Sequence, residues 1–238
     1  MTEKAQSVEQ TIENIKNYKL DLGEDAKIVF MLPGQKYTAG CMKSLLSLAL
    51  VMQSSGYQVA FYNAGFADLY LTRNALVANK LETYKPKQVV PVMPTFPDYT
   101  HMMWIDSDMV FEPKMVEKLV QDDKDIVGGL CPINWKGKSN AMWVAENGSY
   151  FYNMFEGKKE GLMRVDYTGF AFLLVKRGVF EGMGYPWFDL RLAHYENNTY
   201  GLVSEDIAWC TKATELGYKI YIDRAVRPGH EKQHMMRF

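Results

Sequence analysis

The first half of the chain alternates between apolar runs and segments with helical spacing. One apolar run, KIVFMLPG, ends at Pro33 and Gly34, which is typical of a strand buried on both faces and its exit loop. Residues 39–53 carry apolar positions at helical spacing, and the strand YQVAFYN follows them. A second helix over about residues 67–81 precedes the strand HMMWI, and a further helix follows that strand. This alternation predicts a parallel α/β sheet.

The second half of the chain has a different pattern. After about residue 125, the segments IVGGLCP, MWVAENGSYFYNMFEG and LMRVDYTGFAFLLVKR are typical of strands and hairpins with tight turns. Residues 204–216 predict the last helix, and KIYID predicts the last strand. Residues 1–26 are polar and predict a short amphipathic helix or an arm. We therefore expect a helix or arm over residues 1–26, followed by one domain over residues 27–238 whose central sheet is mixed.

Composition narrows the class of protein. Of 238 residues, 47% are hydrophobic and 23% are charged, which is the mix of a soluble globular protein. Lysine and arginine number 27 against 28 acidic residues, so the net charge of -1 predicts no nucleic-acid partner. Three widely spaced cysteines favour neither a disulfide framework nor a thiolate zinc site, and a cytoplasmic location is expected. No apolar run approaches the roughly 20 residues that span a bilayer, so we expect no transmembrane segment.

Two aspartates, Asp106 and Asp108, stand directly after the apolar strand HMMWI. Parallel strands present ligand-binding residues at their carboxyl ends, and two carboxylates at this spacing can bracket a cation that neutralises a diphosphate. The same letters, IDSDMV, also fit the D-x-D-x-[TV] pattern of haloacid dehalogenase-type phosphatases and mutases, in which Asp106 would be the nucleophile. A third interpretation is a simple turn before the next helix.

A second motif, HEKQH at residues 230–234, spells the H-E-x-x-H signature of zinc proteases. That chemistry needs a helix that places both imidazoles on one face. Pro228 and Gly229 immediately precede the motif and only four residues follow it, so neither a useful helix nor a downstream third ligand is available. We reject the protease interpretation and keep His230 as a candidate ligand.

Several short segments occur in an order that resembles one enzyme family. They are LPG, LTRNALVANKL, WIDSDMVF, IVGGLCP, DYTGFAFLLVKRGVF, PWFD, SEDIAWCTKATELGYKIYID and PGH, and they span residues 27–230. In this order they resemble the GT-A fold of nucleotide-sugar-dependent glycosyltransferases, in particular the small bacterial and viral enzymes of the chlorella-virus glycosyltransferase type. The resemblance implies a single Rossmann-like α/β domain of the nucleotide-diphospho-sugar transferase type, with a mixed central sheet.

In the family that the chain resembles, the D-x-D motif holds a divalent ion and, through it, the donor diphosphate. The resemblance implies that Asp108 is a direct metal ligand, that Asp106 faces the ribose or the ion, and that Ser107 lies at the donor. A terminal Gly-His is a further ligand in many members, which implies His230 here. Imidazole beside carboxylate favours Mn2+ over Mg2+. Without the resemblance, His230 would be interpreted as a surface histidine.

Other segments are implied to bind the donor. Pro33 and Gly34 stand where the family binds base and ribose, and glycine lets the backbone approach a ligand closely. Arg73 and Asn74 resemble a pair that meets the nucleotide and the diphosphate, for which a guanidinium is a good partner. Gly169 matches a segment that lines the donor sugar. The alternatives are a solvated helix arginine with a capping asparagine, and a strand bulge at the glycine.

The last predicted helix begins with Glu205 and Asp206. In inverting members of the family an x-E-D motif presents its aspartate to the acceptor hydroxyl, which implies Asp206 as the base and Glu205 as the less favoured candidate. The alternative is complete in itself, because Ser204 can cap the helix while both acids complement its dipole. Trp187 and Phe188 resemble an acceptor platform, since aromatic faces stack on sugars, and core packing is an equal alternative.

Together these features predict a metal-dependent glycosyltransferase that moves a sugar from a UDP-sugar to a saccharide hydroxyl with inversion. The expected cofactor is Mn2+ or Mg2+, and the expected partners are a nucleotide-sugar donor and a glycan acceptor. Two alternatives stay open: a haloacid dehalogenase-type phosphatase or mutase, and a non-catalytic module that binds nucleotide sugars or glycans.

Overall fold

The computed structural model describes residues 13, 18–78, 98–134, 137–144, 150–154, 160–195 and 199–232. The strands are β1 (Ile28–Pro33), β2 (Ala60–Ala64), β3 (His101–Ile105), β4 (Met109–Val110), β5 (Ile126–Gly129), β6 (Lys138–Val144), β7 (Tyr150–Met154), β8 (Leu162–Val165), β9 (Phe172–Lys176), β10 (Arg191–Tyr195), β11 (Thr199–Val203), β12 (Ile220–Asp223) and β13 (Gly229–His230). The helices are α1 (Ala39–Ser54), α2 (Leu69–Ala78), α3 (Pro113–Gln121), α4 (Val179–Gly182) and α5 (Glu205–Glu215). Most of the predicted arm, and the end of the helix predicted over 67–81, lie outside the described residues.

The central sheet has seven strands in the order β2-β1-β3-β9-β5-β12-β8. β1 pairs in parallel with β2 and β3, and β5 pairs in parallel with β12, whereas β9 runs antiparallel between β3 and β5. The prediction of a parallel front half that continues into a mixed sheet is confirmed. Because β1 and β3 run in the same direction, their carboxyl ends lie at one edge of the sheet, where Gly34 and Asp106 follow them.

Both faces of the sheet are covered by helices. β1 is buried along its whole length, and its side chains alternate between two apolar clusters. Phe30 packs with residues of α1 and α3 on one face, and Met31 packs with residues of α2 and α5 on the other. Leu20 and Leu22 are buried in the same cluster as Phe30, so the chain just before β1 is part of the hydrophobic core.

Local signals set the helix ends. The Thr38 hydroxyl oxygen caps α1 by accepting a hydrogen bond from the Cys41 amide at 3.2 Å, and Pro113 begins α3. Ser204 occupies the N-cap position of α5 as expected, but its side chain makes no capping bond and contacts the Asp206 carboxylate instead. None of the helices in the described part of the chain is long and apolar enough to cross a bilayer.

His101 is expected to make the folded protein sensitive to acid. It begins β3, at the end away from Asp106. Burial, reinforced by the charge of Lys176 and opposed by that of Asp123, lowers the pKa of its imidazole to about 4. The unfolded chain takes up this proton below about pH 6.5, whereas the folded protein takes it up only near pH 4. Stability is therefore lost as the pH falls through that window, by about 3 kcal/mol.

Urea titrations at pH 7 and pH 4 measure this loss. The variant His101→Gln has no proton to gain, so its free energy of unfolding should fall by about 3 kcal/mol less than that of the wild type between the two pH values. Other groups also titrate in this range, and the difference between the two proteins isolates the imidazole. If both proteins lose the same free energy of unfolding between pH 7 and pH 4, the imidazole of His101 is not held neutral in the folded protein.

Candidate active site

The two aspartates of the D-x-D motif lie in a short turn between β3 and β4. The Asp106 amide donates to the Ala171 carbonyl at 3.0 Å, and the Met109 amide donates to the Asp106 carbonyl at 3.2 Å. Gly34, which follows β1, lies against this turn. It has a φ of 144°, and a Cβ added there would lie 3.0 Å from the Cβ of Ser107. Glycine is therefore the residue that lets the two strand exits meet.

Pro33 forms the buried end of β1 and pairs with Ala64 of β2. Its neighbours are held by Asn63, whose side-chain amide donates to the carbonyls of Leu32 and Gly34, each at 2.8 Å. Sequence reasoning missed Asn63, because an asparagine near the end of an edge strand carries no signal of its own. The structure thus places Pro33 and Gly34 beside the D-x-D turn.

The C-terminal strand β13 brings a histidine to this turn. β13 pairs antiparallel with β4, with His230 opposite Met109. The Nε2 atom of His230 lies 2.9 Å from Oδ2 of Asp108, and its Nδ1 atom lies 2.9 Å from the carbonyl oxygen of Pro132. The extended backbone at Gly229–His230 also agrees with the rejection of a protease helix.

The C-terminal segment contributes two further contacts that the sequence did not single out. Lys232 places its Nζ 3.1 Å from Oδ2 of Asp108, and the Glu231 carboxylate accepts a hydrogen bond from the Gly40 amide at 3.0 Å. A Cβ added at Gly40 would lie 2.6 Å from that carboxylate, so glycine is what admits Glu231 to the start of α1. The only sequence signal was the cluster of charges after the Pro-Gly-His segment.

Asp108 lies among cationic groups. Burial raises the pKa of its carboxyl, but the hydrogen bonds and charges of His230 and Lys232 outweigh burial, so the pKa lies below its usual range. In return, the hydrogen bond with Asp108 raises the pKa of His230, against the effect of burial. Asp108 is therefore ionised at neutral pH, as a metal ligand must be.

Asp108 and His230 fit a divalent cation by their chemistry. The Pro132 carbonyl can only accept, so Nδ1 of His230 carries a proton, and Nε2 carries a second proton when it donates to the Asp108 carboxylate. Loss of the Nε2 proton would leave a lone pair there that could bind a cation together with Asp108. This donor set of imidazole and carboxylate suits Mn2+. Among the residues that the structure describes, no three His, Cys, Asp or Glu side chains form a cluster that could hold a metal ion. Of the predicted ligands Asp106, Asp108 and His230, the structure brings Asp108 and His230 into contact.

Arg73 occupies the centre of the site instead of its surface. This α2 residue is 2% exposed. Its Nη1 donates to Oε1 of Glu205 at 2.7 Å, and its Nη2 lies 3.4 Å from Oδ1 of Asp106. The guanidinium carbon lies 5.1 Å from the ring centroid of Phe170 and 5.8 Å from that of Phe188. Both Nη atoms of Arg73 thus face carboxylates of the chain itself, which does not favour the predicted contact with a donor diphosphate.

The acid pair at the start of α5 has two different environments. Glu205 is held by Arg73. Asp206 uses Oδ1 to accept hydrogen bonds from the Ile207 amide at 2.8 Å and from the Ser204 hydroxyl. Its Oδ2 faces Gly169, where an added Cβ would lie 3.4 Å away. The structure thus brings together Gly169 and the two acids, although they are distant in sequence.

Comparison of the structure with solved structures identifies the fold of the chain, whereas comparison of its sequence finds no match. No family model matches the sequence, and no curated protein matches it. A197 from STIV aligns with a TM-score of 0.54 at 13% identity, over 87% of this chain and 86% of that one. The structure of GalNAc-T7 with UDP, GalNAc and Mn2+ aligns with a TM-score of 0.54 at 12% identity, over 91% of this chain and 48% of that one. The chain has a GT-A-type fold. It spans about half the length of GalNAc-T7.

Within this GT-A-type fold, three of the predicted site residues serve the core. Trp187 and Phe188 are fully buried, and the Trp187 indole donates to the Phe180 carbonyl at 2.9 Å. The side-chain amide of Asn74 exchanges hydrogen bonds with the Phe188 backbone, at 2.6 and 3.1 Å. A ring that stacks on a sugar needs an open face, so the burial of Trp187 and Phe188 favours the core-packing alternative over an acceptor platform. In this structure the Asn74 side chain anchors the loop at Phe188.

Proposed function

We propose that the chain is a metal-dependent glycosyltransferase that moves a sugar from a UDP-sugar to a saccharide hydroxyl with inversion. One observation carries the proposal: Asp108 pairs with His230 at the carboxyl edge of a GT-A-type sheet. GalNAc-T7 shares the fold, and its structure contains UDP and Mn2+, which supports the choice of donor and cation. The free, buried state of all three cysteines supports a reducing compartment, and we propose the cytoplasm.

The donor would lie across the exits of β1 and β3. Gly34 and Ser107 line this edge, and Asp106 lies beside them with its side chain 27% exposed. Lys232 adds a positive charge at Asp108, which favours an anionic ligand at this place. A divalent ion held by Asp108 and His230 would neutralise the charge that develops on the leaving diphosphate.

Asp206 is the better candidate for the base. Glu205 is held by Arg73, whereas Oδ2 of Asp206 faces Gly169, whose missing side chain leaves room for a sugar ring. In the proposed step the acceptor oxygen bonds to the anomeric carbon, the bond from that carbon to the diphosphate breaks, and the acceptor proton passes to Asp206.

A thermal-shift panel of UDP, GDP, CDP and dTDP, each with and without Mn2+, tests the donor site. We expect UDP with Mn2+ at about 100 times its Kd to raise the melting temperature by roughly 5 °C, because it binds only the native state. The shift should vanish in Asp108→Ala, which lacks the carboxylate partner of His230. It should persist in the control Asp25→Ala, since Asp25 is an exposed acid outside the site.

The other outcomes separate the alternatives. If no nucleotide stabilises the wild type, the donor site is refuted, and stabilisation by phosphate mimics with Mg2+ through Asp106 would favour the phosphatase instead. If UDP and Mn2+ bind but no acceptor in a broad saccharide panel is glycosylated, the chain is a binding module. Transfer of sugar to one acceptor would establish the enzyme.

A further inference from the structure

Arg73 joins two acids that come from distant parts of the chain. Asp106 follows β3 and Glu205 begins α5, and each lies at one arm of the same guanidinium. A buried guanidinium needs charge partners, and this one has two. Because the guanidinium is planar and rigid, it holds the two carboxylates in a set relative orientation.

We propose that Arg73 is a positioning residue that couples the donor end of the site, at Asp106, to the acid pair Glu205 and Asp206. The inference rests on the proposed function, since it needs a donor beside Asp106 and a base at Asp206. It assigns Arg73 a role other than contact with the diphosphate: the guanidinium touches no substrate and acts through the two carboxylates. Binding of the donor and placement of the base are then parts of one equilibrium.

The coupling has a defined direction. Arg73 is 2.7 Å from the Glu205 carboxylate but 3.4 Å from that of Asp106, so Glu205 is its closer partner. When Glu205 is neutralised, the guanidinium is drawn towards the remaining charge on Asp106. An Asp106 carboxylate that is held more tightly is less available to the donor. The change Glu205→Gln should therefore weaken UDP binding, although Glu205 itself is not placed at the donor.

A double-mutant cycle on UDP affinity tests this coupling. Isothermal titration calorimetry at saturating Mn2+ should show that Glu205→Gln weakens UDP binding about fivefold in the wild type. In an Arg73→Met background the same change should alter the affinity by less than about twofold. Arg73→Lys keeps the charge but offers a single ammonium, so it should also lose the coupling. Glu215→Gln, an exposed acid at the far end of α5, is the matched control and should leave UDP affinity unchanged.

Each outcome decides the proposal. The coupling is overturned if Glu205→Gln leaves UDP affinity unchanged in the wild type, or weakens it equally in all backgrounds. Near-ultraviolet circular dichroism checks that each variant is folded. If Arg73→Met does not fold, the effect of Glu205→Gln is measured in the Arg73→Lys background instead. If the wild type binds no UDP, the proposed function fails separately. In that case a urea-denaturation cycle on Asp106→Asn and Glu205→Gln tests whether Arg73 connects the two acids. If the effects of the two substitutions on the urea midpoint are non-additive only when Arg73 is present, the connection is supported. If these effects are additive, the connection is overturned.

Discussion

Replacing Asp206 with asparagine is expected to lower the turnover of the sugar-transfer reaction by about 1,000-fold, while UDP affinity changes by less than about twofold. The asparagine amide keeps the size of the side chain but cannot take the acceptor proton. UDP affinity is spared because the asparagine leaves both the Asp108–His230 pair and the Arg73–Glu205 pair in place. Turnover is measured with the acceptor that the saccharide panel identifies, and UDP affinity by calorimetry with Mn2+.

The Asp206→Asn result needs two comparisons. Glu215→Gln changes an exposed acid on the same helix and should keep wild-type turnover, which controls for the charge of α5. The urea midpoint of Asp206→Asn shows whether the uncharged amide oxygen, a weaker acceptor for Ser204 and Ile207, disturbs the helix start. If folded Asp206→Asn retains more than about a tenth of the turnover, the base is another group, because general base catalysis is worth at least about 100-fold.

Truncating Phe188 to alanine is expected to lower the free energy of unfolding by about 3–5 kcal/mol. The ring is fully buried and lies within 4.9–6.4 Å of the ring centroids of Phe170, Trp104, Phe180 and Trp209. Its removal leaves a cavity that close-packed neighbours fill only in part. Urea denaturation of wild type and variant at pH 7 measures the loss.

The stability of Phe188→Ala also decides between core packing and an acceptor platform. Phe188→Leu keeps most of the apolar volume and should cost less than about 1.5 kcal/mol, and Phe66→Ala, which changes a ring that is 39% exposed, is the surface control. A platform residue would behave differently, with unchanged stability and a raised KM for the acceptor. That pattern would show that the loop opens to expose Phe188.

Patterns within single segments were enough to predict much of the fold. A window of a few residues is enough to detect each of these patterns. Examples are the apolar run of β1, the helical spacing of α1 and the position of two acids after β3. Parallel pairing of β1, β2 and β3 followed from the alternation of strands and helices. The positions of Asp106 and Asp108 at the carboxyl edge followed in turn, because the carboxyl ends of parallel strands lie on the same side.

By itself, then, the sequence determined the order of the elements, the mixed α/β class and the strand end at which the carboxylates stand. Only the tertiary structure decided what the other candidate site residues contact. Arg73 faces two acids, Asn74 holds a loop, and Trp187 and Phe188 fill the core. The reason is physical. An arginine suits a phosphate as well as a carboxylate, and an aromatic ring suits a core as well as a sugar, so the role of each depends on which distant segments fold against it.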